Sequence, residues 1–284
     1  MTRPRRIDQP GMIHHVMNRG VDRRPVFFAD QDRLEFGRLL GEIHDRFDVV
    51  VLAYCLMDNH FHLLLECPEA QLSEAMKHLG SVYVLHTNDR LGRDGPMFRG
   101  RFRSIPVLDD DYLLTAHRYI HRNPLGIASV ATPDRYRWSS HRAYLGLRPS
   151  PGFLGRERVM SHFGGSVDRY QAFVESGDRR RHHPLALSEL TSAVRLAIAM
   201  RPLAAGDAAS DRWLDRTVLL AIGHGLPSPL RRALDDRLDR PSVRAFQRAR
   251  RRLTNDEEIQ HIVRDASTIL GVDLGADPAA THCA

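Results

Sequence analysis

Residues 48–67 read DVVVLAYCLMDNHFHLLLEC: two apolar runs separated by Asp58-Asn59. Each run has the length of a strand, and Asp-Asn favours a tight turn, so the stretch predicts an antiparallel hairpin of Asp48–Met57 and His60–Cys67. On the second strand, His60 and His62 are two apart and share one face, with Phe61 on the other. Two imidazoles on one strand face can hold a single metal ion. By itself the pair also fits two ordinary, partly buried histidines.

Working outward, Gly11 to Gly20 reads as a strand. Leu34, Phe36, Leu39, Leu40, Ile43 and Phe47 recur at helical spacing over Gln31–Phe47. A second helix is expected over Glu69–Asn88 and a fourth strand over Met97–Val107. Strand, helix, strand, strand, helix, strand is the βαββαβ order of a ferredoxin-like α+β fold, an antiparallel sheet with helices on one face. A third helix follows, Asp109 to Asn123. Asp109-Asp110-Asp111 suits a helix N-terminus, and Pro124 should end the helix. Tyr119 and Asn123, four apart, share a face near its C-terminus. The helix would carry Tyr119 towards the central strands. Tyr112, seven residues earlier, is the rival for any tyrosine chemistry. His117 and His121, two residues either side of Tyr119, point elsewhere on a helix. His121 is nevertheless a candidate for DNA or proton-transfer contacts.

The chain has 284 residues, enough for two domains, with 42% hydrophobic and 27% charged residues. No run of eighteen apolar residues suggests a membrane span. No apolar segment follows Arg3, Arg5 and Arg6 to make a signal peptide, so the cytoplasm is the expected location. Cys55, Cys67 and Cys283 are scattered and odd in number, which argues against a disulfide framework. Cys55 and Cys67 read as small core residues. The net charge of +6 favours a polyanionic partner. Lys77 is the only lysine among 41 basic residues, so that charge is almost all arginine.

The strand Met97–Val107 alternates Phe98 and Phe102 on one face with Arg99, Arg101 and Arg103 on the other, which fits a row of phosphate contacts or a solvated face. Arg19, Arg23 and Arg24 follow the first strand and suit similar contacts. His14 and His15 read as ordinary strand residues. Three regions are expected: an α+β domain over residues 1–148, a helical extension with a basic hinge at Arg179–Arg181 over 149–184, and a helical accessory domain, a candidate for DNA binding, over 185–284. In the last, helices are expected at Leu187–Met200, Trp213–Ile222, Pro229–Leu238, Val243–Leu253 and Asp256–Leu270.

Several stretches together resemble the REP-associated tyrosine transposases, within the single-tyrosine HUH transposases of insertion-sequence type. They are Ile7-Asp8-Gln9-Pro10-Gly11 with His14-His15-Val16, then Asn18-Arg19-Gly20, Met57-Asp58-Asn59-His60-Phe61-His62, Phe98-Arg99-Gly100-Arg101-Phe102, Tyr119-Ile120-His121-Arg122-Asn123-Pro124, and Trp138-Ser139-Ser140. The resemblance runs from residue 7 to about 146, and more loosely to about 175. It implies a nuclease and strand transferase acting on single-stranded or hairpin DNA, as a monomer or homodimer. It further implies Tyr119 as nucleophile and a divalent metal, Mg²⁺ or Mn²⁺, on His60, His62 and Asn123. Many relatives have proline where Asp58 stands, and related enzymes have glutamine where Asn123 stands. A noncatalytic DNA-binding protein and a metal-dependent phosphohydrolase are the alternatives.

Overall fold

The hairpin expected over residues 48–67 forms, and it organises the first half of the molecule. In a computed structural model that describes residues 8–107, 109–175, 187–199, 208–222, 234, 236–238 and 241–270, four strands make one sheet. They are β1 (Met12–Arg19), β2 (Val50–Met57), β3 (His60–Cys67) and β4 (Arg103–Val107). The order is β2-β3-β1-β4 with every pairing antiparallel, the arrangement that βαββαβ connectivity produces. The fourth strand is shorter than its alternation suggested. Residues 97–102 leave the ladder, apart from one bridge between Phe98 and Gly20.

Helices α1 (Asp30–Phe47) and α2 (Leu72–Leu91) cover one face. Phe61 points into them and meets Phe36 at 4.9 Å between ring centroids. Phe27, Tyr83 and Phe98 complete this aromatic core. Burying each such ring contributes about 2–3 kcal/mol. The ends of the helices are set by local chemistry. Asp32 in the first turn of α1 accepts hydrogen bonds from the Phe28 and Ala29 amides, 2.7 and 2.8 Å, as the second half of a capping box does. Gly92 closes α2 in the left-handed conformation.

Helix α3 (Asp110–Arg122) packs on the opposite face, against β2, β3 and β4. The Asp109 carboxylate accepts from the Tyr112 amide at 2.7 Å and caps it. Pro124 ends the α-helix, yet Asn123 keeps helical angles of φ −50° and ψ −39° because a 3₁₀ turn, Asn123–Gly126, continues the chain. Tyr119 and Asn123 therefore remain one turn apart on a common face.

The outer edge of β2 is sealed by the chain beyond α3. Leu56 donates to the Trp138 carbonyl, Ser140 to that of Tyr54, Val51 to that of Phe153, and Gly155 to that of Val51, at 2.9–3.0 Å. A Cβ on Gly155 would lie 2.5 Å from Val50, so the close approach requires glycine. Three short helices, α4 (His141–Tyr144), α5 (Arg156–Met160) and α6 (Val167–Glu175), complete this unit. The sequence predicts helix over residues 157–177 with Phe163-Gly164-Gly165 as a turn; among the described residues α5 and α6 flank that turn.

The chain divides into two compact units, Met1–Glu175 and Ser176–Ala284. In the second, α7 (Leu187–Ala199), α8 (Ala208–Ile222), α9 (Val243–Asn255) and α10 (Glu257–Leu270) pack on one another, α7 against α8 and α10, and α9 against α8. The basic hinge at Arg179–Arg181 and most of the helix expected at Pro229–Leu238 lie outside the described residues. No described helix is long and apolar enough to cross a membrane.

Candidate active site

Strand register decides which residues meet α3. His62 pairs across with Met17 on β1 and Cys55 on β2, and His60 with Arg19 and Met57. Directly paired residues share a face, so His60, His62, His15, Met17 and Arg19 all point towards α3, joined by Arg103 opposite Met17 on β4. The Tyr119 ring stands edge-on to His62, with centroids 5.2 Å apart. His60 and His62 are 5.1 Å apart and nearly perpendicular. His60 Nε2 lies 3.1 Å from Asn123 Oδ1. The structure thus brings together Tyr119, His60, His62 and Asn123.

Hydrogen bonding allows His60 two states. Asn59 donates from Nδ2 to the Arg23 carbonyl at 3.2 Å, which turns its Oδ1 to His60 Nδ1 at 2.7 Å. With its proton on Nε2, His60 would donate to Asn123 Oδ1; with it on Nδ1, donating to Asn59, it would present a bare Nε2 to that oxygen. In the second state two acceptors 3.1 Å apart repel unless the amide rotates or a cation lies between them. Neighbouring ligand atoms around a six-coordinate divalent cation are about 3 Å apart, so the donor set fits such an ion. Both imidazoles are held neutral. Burial lowers His60 to about 4, helped by the Arg19 charge and opposed by Asn123 and Asp58. Burial, with His60, His15 and Arg19 nearby, pushes His62 well below the usual value. Neutral imidazole is the metal-binding form.

The arginines sit at the rim. Arg19, Arg23, Arg99 and Arg101 are exposed, and Arg103 is half-buried on the site face. The loop carrying Arg23 is strained: Asp22 and Arg23 both have positive φ, 52° and 59°. A Cβ on Gly20 would lie 2.1 Å from the Arg24 carbonyl, so glycine is required where this loop leaves β1. Arg99 donates its amide to the Arg19 carbonyl at 3.0 Å, tying the two basic segments together.

His121 is a correction. It is fully buried, with Nε2 2.7 Å from Ser140 Oγ and Nδ1 2.9 Å from the Tyr170 hydroxyl, so it cannot touch DNA in this structure. Its opposite placement from Tyr119 on α3 follows from the 100° step of the helix. Tyr112 is buried in the first turn, about 10 Å along the axis from Tyr119. Asp58 makes an ion pair with the buried Arg33, and its carbonyl accepts from the Val26 and Phe27 amides at 2.8 and 3.0 Å. It pins the hairpin turn.

Two features escaped the sequence reading. His15 is buried against the site, with Nε2 3.0 Å from His62 Nδ1 and its ring 6.1 Å from Tyr119. The signal for it was the alternation of β1, which puts His15, Met17 and Arg19 on one face. The second is a cluster of Asp8, His14 and Cys67 on the other face of the sheet. Its carboxylate is already engaged, with Oδ1 3.0 Å from His14 Nε2 and Oδ2 accepting from the Leu72 amide at 3.0 Å. Burial pushes the Cys67 thiol up to about 12. This cluster ties β1 to the start of α2 through its own hydrogen bonds.

Residues 9–123 match the family described as "Transposase IS200 like". No curated protein matches the chain. Among solved structures, a similar one is described as "Structure of the REP associates tyrosine transposase bound to a REP hairpin". It has 18% sequence identity and a TM-score of 0.45, covering 52% of this chain and 89% of that one.

Proposed function

We propose that the IS200-like transposase domain formed by residues 9–123 cleaves and rejoins single-stranded or hairpin DNA, with Tyr119 as nucleophile. The observation that carries this reading is the meeting of a tyrosine edge, two neutral imidazoles and an amide oxygen on a rim of arginines. Tyr119 Oη attacks the scissile phosphorus. The bond to O3′ breaks, the 3′-hydroxyl leaves with a proton, and a 5′-phosphotyrosine forms. A second strand's 3′-hydroxyl reverses the step, so the bond's reactivity is conserved and ATP is not required.

A divalent cation, Mg²⁺ or Mn²⁺, held by His60, His62 and Asn123 would supply neutralisation and alignment of the phosphate oxygens. The remaining work falls to the chain. A phenol titrates near 10, so Tyr119 needs a positioned phosphate rather than a strong base. Rigid seating of α3 on the sheet gives that positioning. Arg19 and Arg103 on the site face, with Arg23, Arg99 and Arg101 at the rim, bind the backbone on either side of the scissile bond. In the second unit, exposed Arg244, Arg248, Arg251 and Arg252 recur along one side of α9. This stripe suits the accessory DNA contact expected of residues 185–284.

The test is a trapping assay with wild-type protein and Tyr119→Phe on a pool of labelled hairpin oligonucleotides in Mg²⁺ or Mn²⁺. A metal-dependent covalent adduct with wild type, lost in Tyr119→Phe, is the expected result. An adduct that survives the substitution would move the nucleophile elsewhere. Cleavage with no adduct would indicate a phosphohydrolase, and tight binding with no cleavage across the pool a noncatalytic DNA-binding protein.

A further inference from the structure

We propose that His15 is a positioning residue that sets the tautomer of His62, by accepting a hydrogen bond from His62 Nδ1 and so leaving the Nε2 lone pair free for a cation. The inference rests on the metal-site reading above. Its ground is the pairing of His15 Nε2 with His62 Nδ1 at 3.0 Å, between two rings that are almost wholly buried. One nitrogen of that pair must donate. Were His15 the donor, neutral His62 would carry its proton on Nε2 and could not ligate. If His62 donates, Nε2 is bare, the same state that His60 adopts when its Nδ1 donates to Asn59 Oδ1.

One detail supports this direction. Metal-binding histidines characteristically donate their second N–H to an acceptor that fixes the ring. Among the described residues no carboxylate or backbone carbonyl takes that place for His62; His15 does. The other nitrogen of His15, Nδ1, is buried with no hydrogen-bond partner. His14 on the same strand also has a buried, unmatched Nδ1, so the direction of the His15–His62 bond rests on the pairing itself.

The experiment compares full-length wild type, His15→Leu and His15→Gln. The amide oxygen of glutamine can stand where Nε2 accepts; leucine removes the acceptor and the orphaned nitrogen together. Mn²⁺ affinity is read by calorimetry without DNA, and melting temperature is read on metal-free protein. We expect His15→Leu to weaken Mn²⁺ binding on the order of 10–100-fold with an unchanged or higher melting temperature. His15→Gln should recover most of the affinity. Nitrogen-15 NMR of the imidazoles in wild type with Mg²⁺ should show His62 protonated on Nδ1 and bare on Nε2.

Wild-type affinity in His15→Leu overturns the proposal, as does His62 keeping its proton on Nε2 in the Mg²⁺-loaded protein. A drop in melting temperature that tracks the loss of affinity, without rescue by glutamine, assigns His15 to the core instead. If wild type binds no Mn²⁺, the metal site itself falls and takes this inference with it, an outcome separable from the others by that control.

Discussion

Helix α3 separates two histidine clusters made of the same residue types and tuned to opposite ends. On its sheet side, His60, His62 and His15 meet Tyr119 and Asn123, with His60 Nε2 3.1 Å from Asn123 Oδ1. On its other side, His117, His121 and His141 lie with Ser140, Tyr144 and Tyr170, all buried. Here the Tyr170 hydroxyl bridges His121 Nδ1 at 2.9 Å and His141 Nδ1 at 3.0 Å, and Ser140 Oγ meets His121 Nε2, while His141 Nε2 and the His117 nitrogens are buried without a hydrogen-bond partner. Burial lowers His117 to about 3 and His141 to about 4. Histidine content and depressed basicity do not distinguish the two. What distinguishes them is access: His60, Tyr119 and Asn123 are half-buried, whereas every ring of the second cluster is buried.

The largest break is chemical. Tyr119→Phe should cut strand cleavage on the order of 10⁴-fold or more while leaving the melting temperature unmoved, since only a hydroxyl at the half-buried site is removed. Single-turnover kinetics on hairpin DNA would check both halves of the contrast.

Acid should weaken the fold through the buried rings of both clusters. The unfolded chain takes up protons near pH 6.5, which the buried rings refuse because their folded values are lowered. Unfolding free energy is therefore insensitive to these rings above that pH. It falls as pH drops below it, by about 1.4 kcal/mol per pH unit for each histidine. In urea titrations between pH 7 and 4.5, His141→Asn should make the decline shallower by about that slope. An unchanged slope would mean that His141 is already charged in the folded protein.

Asn123→Ala sharpens the site side. Removing this half-buried amide should leave stability within about 0.5 kcal/mol of wild type, yet weaken Mn²⁺ binding roughly tenfold or more. The matching change in the sealed cluster, Tyr170→Phe, should do the reverse: a loss of about 1–3 kcal/mol from two stranded imidazole nitrogens, with Mn²⁺ affinity retained. Smallest of all, Arg99→Ala or Arg101→Ala should each reduce the salt slope of DNA binding by about one, with no effect on either cluster.

These contrasts also mark what could be read from the chain. The hairpin, the helix carrying Tyr119, and the i, i+2 and i, i+4 spacings are local, and each is visible as periodicity or turn chemistry. The role of His15 depends on β1 lying beside β3 in one register, a long-range fact that no local pattern carries. The DNA contact expected of His121 failed for the same reason: its partners Ser140 and Tyr170 come from later segments whose packing against α3 no local pattern carries. The alternation at Phe98–Arg103 did not extend the strand: β4 begins at Arg103, and residues 97–102 lie outside the ladder apart from the bridge between Phe98 and Gly20.

The seal on β2 bears on how the molecule is made. Its edge partners, Trp138, Ser140, Phe153 and Gly155, emerge from the ribosome some eighty to a hundred residues after the strand they cover. Until then the nascent sheet shows bare amides and carbonyls to its neighbours, a template for pairing between chains. A polypeptide cut at residue 123 would carry Tyr119, both histidines and Asn123, yet keep that edge open for good, and should precipitate. The smallest soluble working piece therefore has to run past Gly155.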